Sequence, residues 1–283
     1  MRLPIVPTGR FNPIRLIYKT YLNFTEQKLS LQGTSNIPID ILIPVADKDL
    51  STLHYAVHYA RKNILNPISE VYIIGKSKAV EDFCNQNNCR FLVEDIVLPI
   101  KKQDIKFNGA EWSRAGWLLQ QLIKLNSDNI SSSEKVLVLD ADTCIISPQV
   151  LISNEGKIIM HYSDEYHFPY AVYSKILGLN KRYYLSFVAH HMIFDRNILQ
   201  SLKKDIENFS GKTWIETILT TIDFNENSSF SEYEMYGNYA YFNFRKRIHL
   251  EYWRNKSLDS NLMTKETIEK FSKKYKSISF HTI

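Results

Sequence analysis

Apolar positions along this chain alternate between two rhythms. Short, largely apolar runs at residues 39–45, 71–75, 89–93 and 136–139 read as buried strands. Between them, apolar positions recur at helical spacing. Residues 49–65 carry Leu53, Ala56, Val57 and Ala60 on one face and stop at Asn66-Pro67. Residues 79–87 predict a short helix. Residues 111–125 predict a longer one, with Trp112, Trp117, Leu118, Gln121, Leu122 and Leu125. Residues 94–109, with Lys101, Lys102 and Lys106, and the polar stretch 126–134 read as connections. Strands alternating with helices predict an α/β fold with a mainly parallel central sheet and helices on both faces. Ligands in such sheets bind at the carboxyl ends of the strands.

The second half is less regular. Residues 157–162 and 185–194 predict strands, 196–209 and 214–222 helices, 231–239 a helix start, and 241–253 a strand interrupted by Arg245, Lys246 and Arg247. A helix over 264–275 leads to a last strand at 277–281. The lead-in, 1–36, is broken by Pro4, Pro7 and Pro13, and the spacing of Ile14, Ile17, Tyr18 and Leu22 predicts a short amphipathic helix over 14–22. No repeat or low-complexity linker divides the rest, so 37–283 reads as one domain whose second half binds substrate.

The chemistry begins where the fourth strand ends, in Val-Leu-Val-Leu-Asp-Ala-Asp at 136–142. Burying unpaired carboxylates is costly, so Asp140 and Asp142 belong at the strand's exposed end, holding a cation. Hard divalent ions such as Mn²⁺ or Mg²⁺ sit between carboxylates and substrate phosphates. Composition changes this picture little. The chain of 283 residues is 44% hydrophobic and 23% charged, as expected of an ordinary globular protein. Cys84, Cys89 and Cys144 are odd in number and lack Cys-x-x-Cys spacing, which indicates neither a disulfide framework nor a zinc site and suits a reducing compartment. No stretch approaches a membrane span, and residues 1–10 lack the apolar core of a secretion signal. The net charge of +5 is uneven. Residues 245–276 hold ten Lys and Arg against four Asp and Glu, a basic region suited to an anionic acceptor or a membrane surface.

Other features have simpler readings. His54 and His58 lack the Glu of a zinc-binding His-Glu-x-x-His helix and belong on a helix surface. His161, Asp164, Glu165 and His167 form a dense polar group, expected in an acceptor-side loop.

In their order, Ile-Leu-Ile-Pro-Val at 41–45, Val-Tyr-Ile-Ile-Gly at 71–75 and the Asp-x-Asp strand resemble the GT-A fold of nucleotide-sugar glycosyltransferases. Arg-Ala-Gly-Trp at 114–117, Gln120-Gln121 and Phe-Ser-Glu-Tyr-Glu-Met-Tyr-Gly at 230–237 are similar to bacterial glycosyltransferase-like proteins. The resemblance implies a nucleotide-binding half at 37–143 and an acceptor-binding half at 144–283. It implies transfer of a sugar from a nucleoside-diphosphate sugar to a hydroxyl of a glycan or lipid-linked acceptor, in surface polysaccharide synthesis. The expected location is cytoplasmic, with peripheral contact at the inner face of the membrane through the basic C-terminal region.

The same resemblance assigns roles. Pro44, Val45, Asp47, Gly75, Arg114 and Ala141 would contact the nucleotide sugar. Asp140, Asp142 and His281 would hold Mn²⁺ or Mg²⁺. His190, His191, His249 and Trp253 would line the sugar and acceptor pocket. Glu234, with Glu232 as the second choice, would be the general base of an inverting reaction, since the acceptor hydroxyl must lose its proton as it attacks. Rival classes fit less well. The turn after the first strand, Pro-Val-Ala-Asp at 44–47, has no glycine, which argues against dinucleotide and P-loop enzymes. A nucleotidyltransferase or phosphatase shares the Asp-x-Asp strand end but usually has a glycine-rich loop. A non-enzymatic binder of nucleic acid or another anionic polymer leaves Asp140 and Asp142 unexplained.

Overall fold

The computed structural model describes residues 33–165, 167–178 and 186–281, with isolated helical positions between 13 and 24. The helix expected over 14–22 lies largely outside the described residues.

The first half follows the strand–helix rhythm. Strand β1 (Ile39–Pro44) leads through a short turn to helix α1 (Leu50–Asn63), then β2 (Ile68–Gly75), α2 (Lys78–Gln86) and β3 (Arg90–Val93). Helix α3 (Ala115–Leu125) precedes β4 (Lys135–Leu139), and β5 (Thr143–Ile145) follows the Asp-x-Asp turn. In the second half come β6 (Ile158–Tyr162), α4 (Phe168–Ile176), β7 (His191–Asp195), α5 (Arg196–Ser210), α6 (Trp214–Thr221), α7 (Glu232–Asn243), β8 (Ile248–Tyr252), β9 (Asn255–Asp259), α8 (Lys265–Ser272) and β10 (Ser277–His281).

The central sheet runs β3-β2-β1-β4-β7. Its β1–β2, β2–β3 and β1–β4 pairs are parallel, and β7 joins antiparallel to β4. The fold is therefore α/β with a mainly parallel central sheet. Every residue of β1 and β4 is buried, as expected of central strands covered on both faces. The one acid inside β1, Asp40, is satisfied by Ser131 Oγ at 2.5 Å and the Glu70 amide at 3.1 Å. Leu42 pairs with Val138, and continuing that register brings Asp140 level with Pro44 at the carboxyl end of the sheet. A smaller sheet, β9-β10-β5, lies beyond the turn, and β6 pairs with β8.

Two expectations about the second half need correction, and one strand goes beyond them. The strand expected over 185–194 starts only at His191; residue 185 is outside the described residues. Ser186 bridges to Ser163, and His190 adopts φ +61°, a left-handed conformation incompatible with extended pairing. The strand expected over 241–253 begins at Ile248, because α7 runs on to Asn243 and a tight turn at Arg245–Arg247 intervenes. Strand β9 was not foreseen; its polar sequence Asn-Lys-Ser-Leu-Asp gave no apolar signal.

The loop before β7 is clamped to α7. Gly237 faces Phe187 so closely that an added Cβ would lie 2.5 Å from the Phe187 ring, so glycine is required there. One turn earlier, Glu234 Oε1 accepts the Phe187 amide at 3.1 Å. The sequence Glu-Met-Tyr-Gly thus presents an acceptor and a gap on one helix face, and that face fixes the loop carrying His190.

Candidate active site

A cleft of about 700 Å³ opens at the carboxyl ends of β1 and β4, a volume suited to a small-molecule ligand. The turn after β1 supplies Pro44, Val45 and Asp47. Helix α3 and its approach supply Arg114, Trp117, Gln121 and Lys124, and the Asp-x-Asp turn supplies Asp140, Ala141 and Asp142. His190, Glu165 and the start of α7, with Glu232 and Tyr233, close the other side.

The floor is a charge network centred on Asp140. Its Oδ1 accepts from Lys124 Nζ at 2.5 Å and from the Tyr233 hydroxyl at 2.8 Å. Its Oδ2 lies 3.1 Å from His190 Nδ1. Lys124 Nζ also donates to Glu232 Oε1 at 2.7 Å, and His190 Nε2 lies 3.2 Å from Glu165 Oε1. The Asp140 amide donates to the His190 carbonyl at 3.0 Å, so the left-handed turn at His190 points both backbone and ring at Asp140.

Burial disfavours each charge here, but the pairings outweigh it for three groups. Burial alone would lower the His190 imidazole; hydrogen bonds to Asp140 and Glu165, with their charges, push it up to about 10. Burial likewise opposes the Lys124 ammonium, yet Asp140 and Glu232 hold its pKa above the ordinary lysine value. Burial would raise Asp140, while Lys124 and His190 hold it well below the usual carboxylate range. Glu232 goes the other way: burial outweighs Lys124 and raises it. The ammonium therefore belongs more to Asp140, in keeping with the shorter distance. Four carboxylates (Asp140, Asp142, Glu165, Glu232) meet two cations, which leaves the floor with a formal charge of −2.

The sequence profile described as a family of unknown function (DUF6492) matches residues 51–281. The chain belongs to the DUF6492 family. A search of curated proteins finds no match. Among solved structures, this DUF6492 chain is similar to galactosyltransferase LgtC in complex with donor and acceptor sugar analogs. The identity is 14%, over 85% of this chain and 86% of that one, with a TM-score of 0.46. It is also similar to mouse xyloside xylosyltransferase 1, at 9% identity, over 86% of this chain and 97% of that one, with a TM-score of 0.45. A third likeness is to the bifunctional glycosyltransferase WbbM, at 11% identity, over 88% of this chain and 46% of that one, with a TM-score of 0.47. At these scores nothing about activity is taken from the likeness.

Of the expected site residues, Pro44, Val45, Asp47, Arg114, Asp140, Ala141, Asp142, His190 and Glu232 line the cleft of this DUF6492 chain. Others are placed elsewhere. Gly75 packs against Val80 and Val45, where a Cβ would come within 3.0 Å of Val80. Glu234 points away from the cleft, to the Phe187 amide and to Asn238 Nδ2 at 2.9 Å. His249 lies 3.8 Å from Glu251 Oε1 on β8, and Trp253 is buried with its indole nitrogen donating to Ser277 Oγ at 2.6 Å. The His281 side chain lies outside the described residues. Its strand does reach the site, since the Phe280 amide donates to the Asp142 carbonyl at 2.8 Å. Among the described residues, no group of three or more His, Cys, Asp or Glu is gathered as a ready metal site. The expected basic surface over 245–276 is partly spent on structure: Arg247 joins Lys135 on buried Asp195, and Lys276 donates to Gln149 at 2.9 Å. No helix among the described residues is long and apolar enough to cross a membrane.

Lys124 and Tyr233 were missed by sequence reasoning. The available signal for Lys124 was a lone charge inside the apolar run Leu-Ile-Lys-Leu of a helix.

His191, next to the cleft residue His190, is buried in a separate cluster. His191 Nδ1–H donates to the Ala189 carbonyl at 2.8 Å, so its Nε2 accepts from His161 Nδ1–H at 2.7 Å. Both rings pack against Trp253. This bonding requires a neutral His191, whose Nε2 must keep its lone pair. Burial lowers both, His191 to about 4. Because the folded-state values are depressed, the unfolded chain takes up protons first. The stabilisation is complete above about pH 6.5 and is lost as pH falls towards 4. The slope is about 1.4 kcal/mol per pH unit for each histidine. Urea midpoints measured from pH 7.5 to 5 should fall accordingly, and His191→Asn should flatten the profile.

Proposed function

We propose that this protein is a glycosyltransferase of the GT-A type, moving a sugar from a nucleoside-diphosphate sugar to a hydroxyl of a glycan or lipid-linked acceptor. The observation that carries the reading is the −2 floor at the carboxyl ends of β1 and β4, in a cleft also lined by Arg114, by Lys76 paired with Glu94 and Asp95, and by Lys102 paired with Glu111. A diphosphate would be repelled by that floor alone. A divalent cation held by Asp142 and Asp140 would reconcile the two, and hard oxygen donors suit Mn²⁺ or Mg²⁺. When bound, the ion would neutralise the diphosphate leaving group.

The chain's own residues would do the rest. The turn at Pro44–Asp47 would face the base and ribose, and Arg114, stacked 4.6 Å from the Trp117 ring, would present its guanidinium to phosphate or sugar oxygens. Glu232, oriented by Lys124, is the acid placed to accept the acceptor's proton, with inversion at the anomeric carbon.

Thermal denaturation tests this. UDP, GDP, CDP and dTDP should each be tried with Mn²⁺ and with EDTA. One nucleotide at saturation should raise Tm by about 5 °C or more, only with the metal. Stabilisation by oligonucleotide, indifferent to metal and abolished by salt, would overturn the reading.

A further inference from the structure

Asp140 already has protein partners on both carboxylate oxygens: the Lys124 ammonium and the Tyr233 hydroxyl on one, the His190 ring on the other. A divalent ion coming to Asp140 must therefore compete with them. Of the two cations, Lys124 is the one built to yield. Its Nζ touches two carboxylates, Asp140 at 2.5 Å and Glu232 at 2.7 Å, and lies 4.6 Å from the centre of the Tyr233 ring. Withdrawn from Asp140, the ammonium keeps Glu232 and the ring face, so a small shift exchanges one partner without stranding a buried charge. Its side chain is only 9% exposed, so water is a poor substitute for either carboxylate.

We propose that Lys124 is the resident counter-ion of Asp140 and competes with the divalent metal for it, moving onto Glu232 when the metal binds. This rests on the metal reading above. The consequence is a coupling. Metal alone meets a site whose first acid is partly neutralised and binds weakly. A nucleoside diphosphate, bringing negative charge of its own, tips the competition, so metal and nucleotide bind better together than either does alone. The movement would also leave Lys124 as the group that orients Glu232, linking metal loading to placement of the proposed base.

The test is Mn²⁺ binding to the full chain without nucleotide, read from the electron paramagnetic resonance signal of free Mn²⁺. Lys124→Met keeps the stem and removes the ammonium, and should tighten Mn²⁺ at least tenfold. Lys78→Met, which removes an exposed charge on α2 paired with Glu81 and Asp82, should change it less than twofold. Equal and measurable affinities for wild type and Lys124→Met would overturn this inference while leaving the metal reading standing. Absence of Mn²⁺ binding in both would overturn both. Should Lys124→Met fail to fold, the wild-type protein decides the matter in a crystal structure with Mn²⁺ and nucleoside diphosphate. Lys124 Nζ beyond 3.5 Å from Asp140, and still on Glu232, supports the exchange. Nζ still bonded to Asp140 beside the metal overturns it.

Discussion

Glu232→Gln should lower kcat for sugar transfer by a factor of about 10² to 10⁴, the usual range for loss of a general base. Glu234→Gln should act mainly on stability. The two acids stand two positions apart in the chain but on different sides of α7, which starts at Glu232. Glu232 faces the cleft and Lys124. Glu234 is turned inward, accepting from the Phe187 amide and from Asn238. Gln at 234 can still accept one of these bonds but not both, which costs about 1–3 kcal/mol. Since the same loop carries His190, KM should rise as well. Donor turnover and thermal midpoints for the two variants separate the roles. A large kcat loss at 234 with little at 232 would reverse the assignment.

That pair shows what a sequence can and cannot convey about this site. Apolar runs located β1, β2 and β4, because a strand buried on both faces has little alternative to continuous apolar sequence. The Asp-x-Asp turn followed directly, since acids after such a run can only lie at its exposed end. The resemblance to GT-A enzymes, rather than the apolar pattern, pointed to Arg114 and the turn after β1, and both line the cleft. Periodicity could not choose between Glu232 and Glu234. Positions 232 and 234 project about 200° apart around a helix, and which of them faces the cleft was decided by a long-range partner, the Phe187 amide. Lys124 lay hidden for a similar reason. Its meaning comes from two acids, one on β4's end and one on α7, that meet it only in three dimensions. His190 and His191 are adjacent in sequence yet have opposite environments, one charged in the cleft and one neutral beside Trp253. A strand would have alternated them by its pleat. In fact the left-handed turn at His190 separates them, and nothing in the side-chain pattern announces a positive φ at histidine.

Asp142→Ala should reduce activity about a thousandfold, with loss of metal-dependent nucleotide binding, and should lower Tm less than Asp140→Ala does. Asp140→Ala should lose activity too, and in addition lower stability by about 3 kcal/mol, a fall in Tm of about 5 °C or more. The difference lies in what each carboxylate holds. Asp140 compensates Lys124 and His190 and accepts from Tyr233, so its removal takes one carboxylate from each of two buried cations and leaves a buried hydroxyl short of an acceptor. Asp142 lines the cleft and takes a hydrogen bond from Thr143 Oγ1 at 3.2 Å; that hydroxyl also lies 2.8 Å from Ser279 Oγ and keeps a partner without the acid. The backbone bond from Phe280 to the Asp142 carbonyl survives either substitution, so β10 stays docked in both variants. Circular-dichroism melts and a nucleotide-release assay on the two variants give the comparison. Equal destabilisation would mean that Asp142 is structural, and full activity in Asp142→Ala would remove the metal from the proposed reaction.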